Sequence, residues 1–282
     1  MPTRREAAQA DRPSPLQVDA VVVENRDEAG AYRRLWLSVP GWHHFRPGQF
    51  VMLSAGALAA VPRNDPLLRR PMAVYRERGG ERPGEAQIEI LFRLVGRGTR
   101  LLADVGPGQR VAVVGPLGRP FPEVSDAQRS VLVGGGTGIA SLYELAARAE
   151  KRSRLRVILG AASAADLMGK TDFEQLGVDL RLTTQDGSQG QRGLVTEALE
   201  ASLAEGAVET LYICGPTPMM RRCAELATAH QIRCYVSLES VMACGFGVCL
   251  GCAAPLAGGG FALVCSRGPV MEAAEVDWEE ML

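Results

Sequence analysis

Residues 243–252 read Ala243-Cys244-Gly245-Phe246-Gly247-Val248-Cys249-Leu250-Gly251-Cys252, and a further cysteine, Cys265, follows after twelve residues. Three thiols at C-x4-C-x2-C with a distant fourth is the plant-type spacing of a 2Fe-2S cluster, which needs four thiolates around two irons. One tight turn supplies three ligands, and the fourth returns from elsewhere. Gly245, Gly247 and Gly251 leave the backbone free to curl its N–H groups toward the sulfides, where they favour the reduced, more negative cluster. A structural zinc site also takes four cysteines, but usually as two short C-x2-C-like knuckles. The spacing therefore favours iron–sulfur at Cys244, Cys249, Cys252 and Cys265 and leaves zinc as the alternative. A disulfide framework is disfavoured, because no secretory signal is present and 282 residues build a core without staples.

Around this loop, residues 239–282 form a small C-terminal module. Between Cys252 and Cys265 the run reads as two short strands about the triple glycine 258–260, a turn that folds Cys265 back beside the loop. Upstream, residues 126–238 alternate strand, loop and helix. Strands are expected at 130–133, 155–159, 179–183 and 210–213, with helices running through Lys151 and His230. Such alternation builds a parallel sheet with helices on both faces, and ligands bind outside the carboxyl ends of its strands. Gly134-Gly135-Gly136-Thr137-Gly138 lies at such an end and opens a helix, where backbone N–H groups can hold a diphosphate. It is not the G-x-G-x-x-G fingerprint, because Ile139 takes the place of the third glycine. Tight packing is the alternative reading of these glycines.

Residues 14–125 read differently. Six short strands at 17–24, 32–39, 50–53, 71–75, 87–93 and 110–114, broken by Gly and Pro, describe an antiparallel barrel. Arg69-Arg70-Pro71 opens one strand. Leu91-Phe92-Arg93 ends another and leads to Gly96-Arg97-Gly98-Thr99, the start of a short helix. An arginine and a helix start are two ways to hold a phosphate.

Composition narrows the function. The chain is 46% hydrophobic and 22% charged with net charge -1, the balance of a globular protein with no electrostatic case for nucleic acid or an anionic membrane. No apolar run approaches the roughly 20 residues of a membrane helix. Residues 1–11 read as a disordered tail rather than a targeting peptide, which points to the cytoplasm. His43, His44 and His230 fit no ligand spacing. Cys223 and Cys234 read as core.

Taken in order, Arg-Arg-Pro, Gly-x-Gly-Thr, the glycine loop, Asp186-Gly187-Ser188, Cys214-Gly215-Pro216-Thr217-Pro218-Met219, the cysteine loop and Gly268-Pro269-Val270 resemble the electron-transfer subunits of NAD-dependent dihydroorotate dehydrogenases, within the ferredoxin-reductase superfamily. The resemblance runs from about residue 17 to 278. It implies a β-barrel plus α/β architecture: an antiparallel FAD-binding barrel, a parallel-sheet NAD-binding domain and a small 2Fe-2S module. It also implies that Arg70, Pro71, Met72 and Ala73 line one FAD, that Leu91, Phe92 and Arg93 continue the site, and that Gly98 and Thr99 stand at its phosphates. Gly134 to Gly138, Cys214 and Gly215 would face NAD. Two positions depart from the family pattern: Ala73 replaces a common serine, and Gln185 replaces an acidic residue before Asp186.

With flavin, cluster and nicotinamide carrying the chemistry, no catalytic side chain is expected. The resemblance implies that electrons from dihydroorotate leave the FMN of a separate catalytic subunit, cross the cluster and FAD, and reduce NAD in pyrimidine (UMP) synthesis. The assembly would be a heterotetramer with two of each chain. Two alternatives remain: an NAD(P)H-linked subunit of a hydrogenase or ferredoxin-NADP transhydrogenase, and a non-catalytic zinc-binding interaction module.

Overall fold

The computed structural model describes residues 15–42, 45–55, 68–80, 84–206 and 208–281. His43, His44 and the N-terminal tail lie outside the described residues. The first sheet comprises β1 (Leu16–Asp27), β2 (Tyr32–Pro40), β3 (Phe50–Ser54), β4 (Arg70–Ala73), β5 (Arg76–Gly79), β6 (Glu85–Arg93) and β7 (Arg110–Leu117), in the antiparallel order β4-β3-β7-β1-β2-β6-β5. The strands curl into a half-barrel. Its two edges are linked through Val74, which donates to the Gln49 carbonyl at 3.4 Å, and Tyr75, which donates to the Glu89 carbonyl at 2.8 Å. Ala20, Leu35, Leu37, Val51, Leu53, Ile88, Ile90 and Val113 fill the interior.

Two strands depart from the six expected. β5 reads Arg-Glu-Arg-Gly, polar enough to pass for a loop, yet it pairs with β6 and lays Arg76 and Arg78 over Trp36 at 5.3 and 4.0 Å from the ring centre. Those cation–π contacts supply the buried face that its aliphatic content lacks. β7 runs on through Gly115-Pro116 to Leu117, because Leu117 pairs with Phe50 across a bulge in β7, where Gly115 and Pro116 together oppose Val51. α1 (Arg97–Asp104) follows β6.

The second sheet has the order β11-β10-β9-β8-β12-β13-β16. Its strands are β8 (Ser130–Gly135), β9 (Leu155–Ala161), β10 (Asp179–Thr184), β11 (Gln191–Arg192), β12 (Thr210–Cys214), β13 (Arg233–Ser237) and β16 (Val270–Glu272). All pairs are parallel except β13 with β16. The chain winds one way from β8 to β10 and the other way from β12 to β13, so the switch point lies between β8 and β12. That is where such sheets leave a crevice. The helices are α2 (Tyr143–Ala147), α3 (Lys170–Gln175), α4 (Val195–Ala204) and α5 (Thr217–Ala229). α5 buries Met220, Cys223, Ala224 and Ala227, a single i, i+3, i+4, i+7 stripe.

The helix expected from the glycine loop through Lys151 is instead a 3-10 turn, Gly136–Ser141, followed by the five-residue α2. Glycines at the start make continuous α-helix costly, and the turn is pinned by packing on β12. Cys223 and Cys234 are buried in the core, as expected, and His230 ends α5 on the surface.

The C-terminal segment carries the expected hairpin, β14 (Ala253–Pro255) with β15 (Phe261–Leu263). Gly259 and Gly260, at φ 83° and 78°, form its turn. The segment then returns β16 to the edge of the parallel sheet. Cys252, Cys265, Val264 and Met242 share one apolar core with β3, β7 and β12. No described helix is long and apolar enough to cross a membrane.

Candidate functional site

One cleft, of about 430 Å³, opens where the half-barrel meets the carboxyl ends of β12 and β13. Arg70, Pro71, Met72 and Ala73 of β4 line it together with Leu91, Phe92 and Arg93 of β6, Thr99 of α1, Thr137 and Cys214. Residues far apart in sequence thus share one wall. Arg70 Nη1 donates to the Leu68 carbonyl at 2.6 Å. Its guanidinium lies across Gly98 so closely that a methyl group there would collide with it. The bare glycine lets the arginine lie against the helix, and the contact holds a cation beside the first turn of α1.

Thr99 Oγ1 accepts the N–H groups of Val95 and Gly96, both at 3.0 Å, and donates to the Gly96 carbonyl at 2.9 Å. The hydroxyl is committed to holding the loop. An anion at the start of α1 would therefore meet backbone N–H groups and Arg70.

Gly48 and Phe50, beside β4, and Ser237, Leu238, Glu239, Met242 and Pro269 complete the lining. Sequence reasoning missed these residues. The available signal was Cys234 in a strand pattern: that strand ends at Ser237 on the sheet's carboxyl edge, so the next residues had to enter the crevice. Cys214 is buried, its Sγ 3.4 Å from the Ser237 carbonyl. Burial pushes its thiol up to about 12, so it meets the cleft as a neutral group.

A second cleft, of about 420 Å³, lies alongside at the ends of β8, β9 and β10. Gly135, Gly136, Gly160, Asp166, Thr183, Gln185 and Arg222 line it with Tyr32 from the half-barrel. Arg93 borders both clefts, its guanidinium 5.8 Å from the centre of the Tyr32 ring. The glycine loop does two jobs. Gly135 and Gly136 face the second cleft, whereas Gly134 and Gly138 are buried behind it. A side chain at Gly138 would strike the Cys214–Gly215 peptide. Gly215 is also buried rather than lining either cleft. Asp166 Oδ2 accepts the Ser163 hydroxyl at 3.0 Å. Asp186 turns onto Ser188, whose N–H and hydroxyl it accepts at 2.9 and 2.6 Å, and Gln185 faces the cleft in its place.

The cysteine loop continues directly from the first cleft, since Met242 lines that cleft and Cys244 follows two residues later. Gly245 and Gly247 both take φ 86°, a region that favours glycine. The third special position is Leu250 at φ 61° rather than Gly251. Burial works against ionising Cys244, but N–H groups of Cys249, Phe246 and Val248 aim at its sulfur together with the Cys249 thiol, and they bring it down to about 6. Cys265, whose sulfur lies 3.2 Å from that of Cys252, is pushed up to about 12 by burial and by that neighbour.

The thiols therefore stand as two pairs, Cys244 with Cys249 and Cys252 with Cys265. Among the described residues no three thiol, imidazole or carboxylate groups gather about one ion position. Two pairs of thiols, the first with N–H groups aimed at Cys244, fit a two-iron cluster better than a single tetrahedral zinc.

Residues 239–277 match the iron-sulfur cluster binding domain of dihydroorotate dehydrogenase B, and residues 132–225 match the oxidoreductase NAD-binding domain. Among solved structures, the chain resembles the NADH-dependent reduced ferredoxin-NADP oxidoreductase of a study on flavin-based electron bifurcation. The TM-score is 0.76 at 29% identity, over 93% of this chain and 91% of that one. The probable dihydroorotate dehydrogenase B (NAD(+)) electron transfer subunit of Methanopyrus kandleri is 37% identical over 93% of both chains. The Bacillus caldolyticus electron transfer subunit of the same name is 40% identical over 82% of this chain and 86% of its own length. By sequence, cysteine loop and fold alike, this chain belongs to the family of dihydroorotate dehydrogenase B (NAD(+)) electron transfer subunits.

Proposed function

We propose that the chain carries electrons between the FMN of a dihydroorotate-oxidising partner subunit and NAD, by way of a 2Fe-2S cluster on Cys244, Cys249, Cys252 and Cys265 and one FAD in the first cleft. The observation that carries this reading is adjacency. Arg93 borders both clefts, and the wall of the first runs through Met242 into the cluster loop. The flavin, when bound, supplies exchange between two-electron hydride transfer with nicotinamide and single-electron transfer with the cluster.

The chain's own residues bind and orient. Arg70 and the N–H groups of α1 neutralise the FAD phosphates. Met72, Ala73, Leu91 and Phe92 form the apolar bed for the flavin ring, with the backbone N–H of Ala73 as the polar group at that position. Gly135, Gly136, Thr137, Cys214 and the loop beneath them hold nicotinamide against it, and the buried neutral thiol of Cys214 keeps charge and water away from the transfer. The working units are residues 14–125 for flavin, 126–238 for NAD and 239–282 for the cluster, the last lending β16 to the second. The assembly is a cytoplasmic heterotetramer with two of each subunit, serving pyrimidine synthesis.

The test is a set of purified preparations. The chain should be red-brown, with equal iron and acid-labile sulfide and one FAD, and Cys249→Ser should lose the cluster absorption. Mixed with the FMN subunit it should reduce NAD with dihydroorotate. Alone it should oxidise NADH only with an artificial acceptor. Stoichiometric zinc without sulfide in anaerobic protein, or full dihydroorotate oxidation by this chain alone, would overturn the reading. The likeness to a ferredoxin-NADP oxidoreductase favours a second reading with the same cofactors and a ferredoxin-type partner, and failure of the mixture would point to it.

A further inference from the structure

We propose that Met52 is the positioning residue that seats the cluster loop against the flavin strand and so sets the rate of electron passage between the two centres. The inference rests on the cofactor assignment above. β3 alternates its side chains. Val51 and Leu53 enter the half-barrel core, whereas Met52, 0% exposed, faces outward into the core that holds Cys252, Cys265 and Met242. Across the β3–β4 ladder Met52 stands opposite Pro71, in the middle of the segment that lines the first cleft. On its other side it presses on Gly245: a Cβ there would lie 2.6 Å from Met52 Cγ and 3.0 Å from Sδ. Gly245 follows the ligand Cys244. One side chain therefore touches the cluster loop and belongs to the strand next to the flavin wall.

Electron transfer between fixed centres is faster through packed atoms than across a void, and it falls steeply with separation. A void beside Met52 would loosen the coupling, and relaxation of the loop would change the distance. A thioether suits the place, since it fills an irregular gap without branching. Glycine at 245 admits this close approach, and its φ of 86° disfavours a side chain independently.

The reaction to be timed balances simply. With both groups bound, NADH would supply the flavin with a hydride, two electrons and one proton; the electrons would leave singly to the cluster, the proton to solvent, and the second electron once an acceptor had taken the first.

The experiment mixes NADH with the FAD- and cluster-loaded chain under anaerobic conditions and follows flavin reduction and cluster bleaching separately. Met52→Ala should leave iron, sulfide and FAD content, both midpoint potentials and flavin reduction by NADH unchanged. It should slow cluster bleaching roughly ten- to a hundredfold, the scale that small misplacement of reacting centres reaches. Met52→Leu, which refills the gap, should restore most of the rate. Wild-type bleaching in Met52→Ala, or equal slowing in Met52→Leu, overturns the proposal. If Met52→Ala loses its cluster, Met52→Val removes fewer atoms and is read in the same way. Absence of flavin or iron from the wild-type chain would instead defeat the cofactor assignment, a distinct outcome visible before any kinetics.

Discussion

Arg70 and Gly98 show how two candidate phosphate-site residues depend on each other. The guanidinium lies against the start of α1 where Gly98 presents no side chain. Arg70→Ala should weaken FAD by about 1.5–3 kcal/mol, the worth of a hydrogen bond to a charged group, measured by flavin release in titration. Gly98→Ala should weaken FAD as well while leaving Arg70 in place, because the methyl must push the guanidinium aside. Full affinity in both variants would show that the phosphates lie elsewhere. Arg-Arg-Pro and Gly-x-Gly-Thr were legible as separate motifs. Their contact was not, since nothing local relates two segments about 28 residues apart.

Between elements, the half-barrel and the nucleotide sheet are joined by a buried ion network that no motif announced. Arg34 of β2 pairs with Glu89 of β6 at 3.1 Å, with Asp172 of α3 at 2.6 Å and with Glu28. Arg76 of β5 reaches Asp172 at 3.3 Å, and the Tyr75 hydroxyl donates to the same carboxylate at 2.8 Å. Glu28 also accepts the Gly169 N–H at 3.0 Å, so the turn leading from Asp166 into α3 is tied to the barrel. Removing one partner leaves buried charge uncompensated, and Asp172→Ala should cost about 3–5 kcal/mol, read as a lower urea midpoint.

The pH dependence of this network has two opposing parts. Burial alone raises Glu28, but bonds from Arg34 and Gly169 outweigh it and leave the carboxyl below its ordinary 4.5. Its contribution is therefore complete above that value and is lost as pH falls through the lower folded one. Burial holds Glu89 above its ordinary value despite Arg34 and Arg76. Its contribution is present below the ordinary value and is lost as pH rises through the raised folded one. Glu28→Gln should thus make the acid-side decline of stability shallower than in the wild type, measured by urea midpoints across pH. An unchanged acid limb would show that Glu28 carries no such linkage.

At the scale of the molecule, the cysteine loop exposes three large apolar side chains together. Phe246, Val248 and Leu250 are 54, 73 and 64% exposed, so the loop turns its large side chains outward, with Cys249 exposed beside them and Cys252 buried beneath. Exposed apolar groups beside a centre that must exchange electrons are suited to a docked partner. Phe246→Asp should weaken binding of the catalytic partner subunit by about 2 kcal/mol or more, the scale of an interface anchor. Co-purification and dihydroorotate-dependent NAD reduction should fall, with NADH–dye activity and cluster absorption retained. Undiminished co-purification would place the interface elsewhere.

The sequence by itself determined the spacing of the four cysteines, the order of barrel, nucleotide sheet and cysteine module, and the strands whose apolar alternation is strong. These are local signals: spacing along one loop, and periodicity within one strand. It also supplied one wall of the first cleft, through motifs at strand ends. The tertiary structure decided the rest. β5 forms because Trp36 accepts its arginines. The glycine loop bends into a 3-10 turn because Gly138 must lie on the Cys214–Gly215 peptide. The Ser237–Met242 wall and the Met52 seat exist because the last segment folds back over both sheets. Each is a contact between segments distant in sequence, where geometry rather than residue type determines what a side chain does.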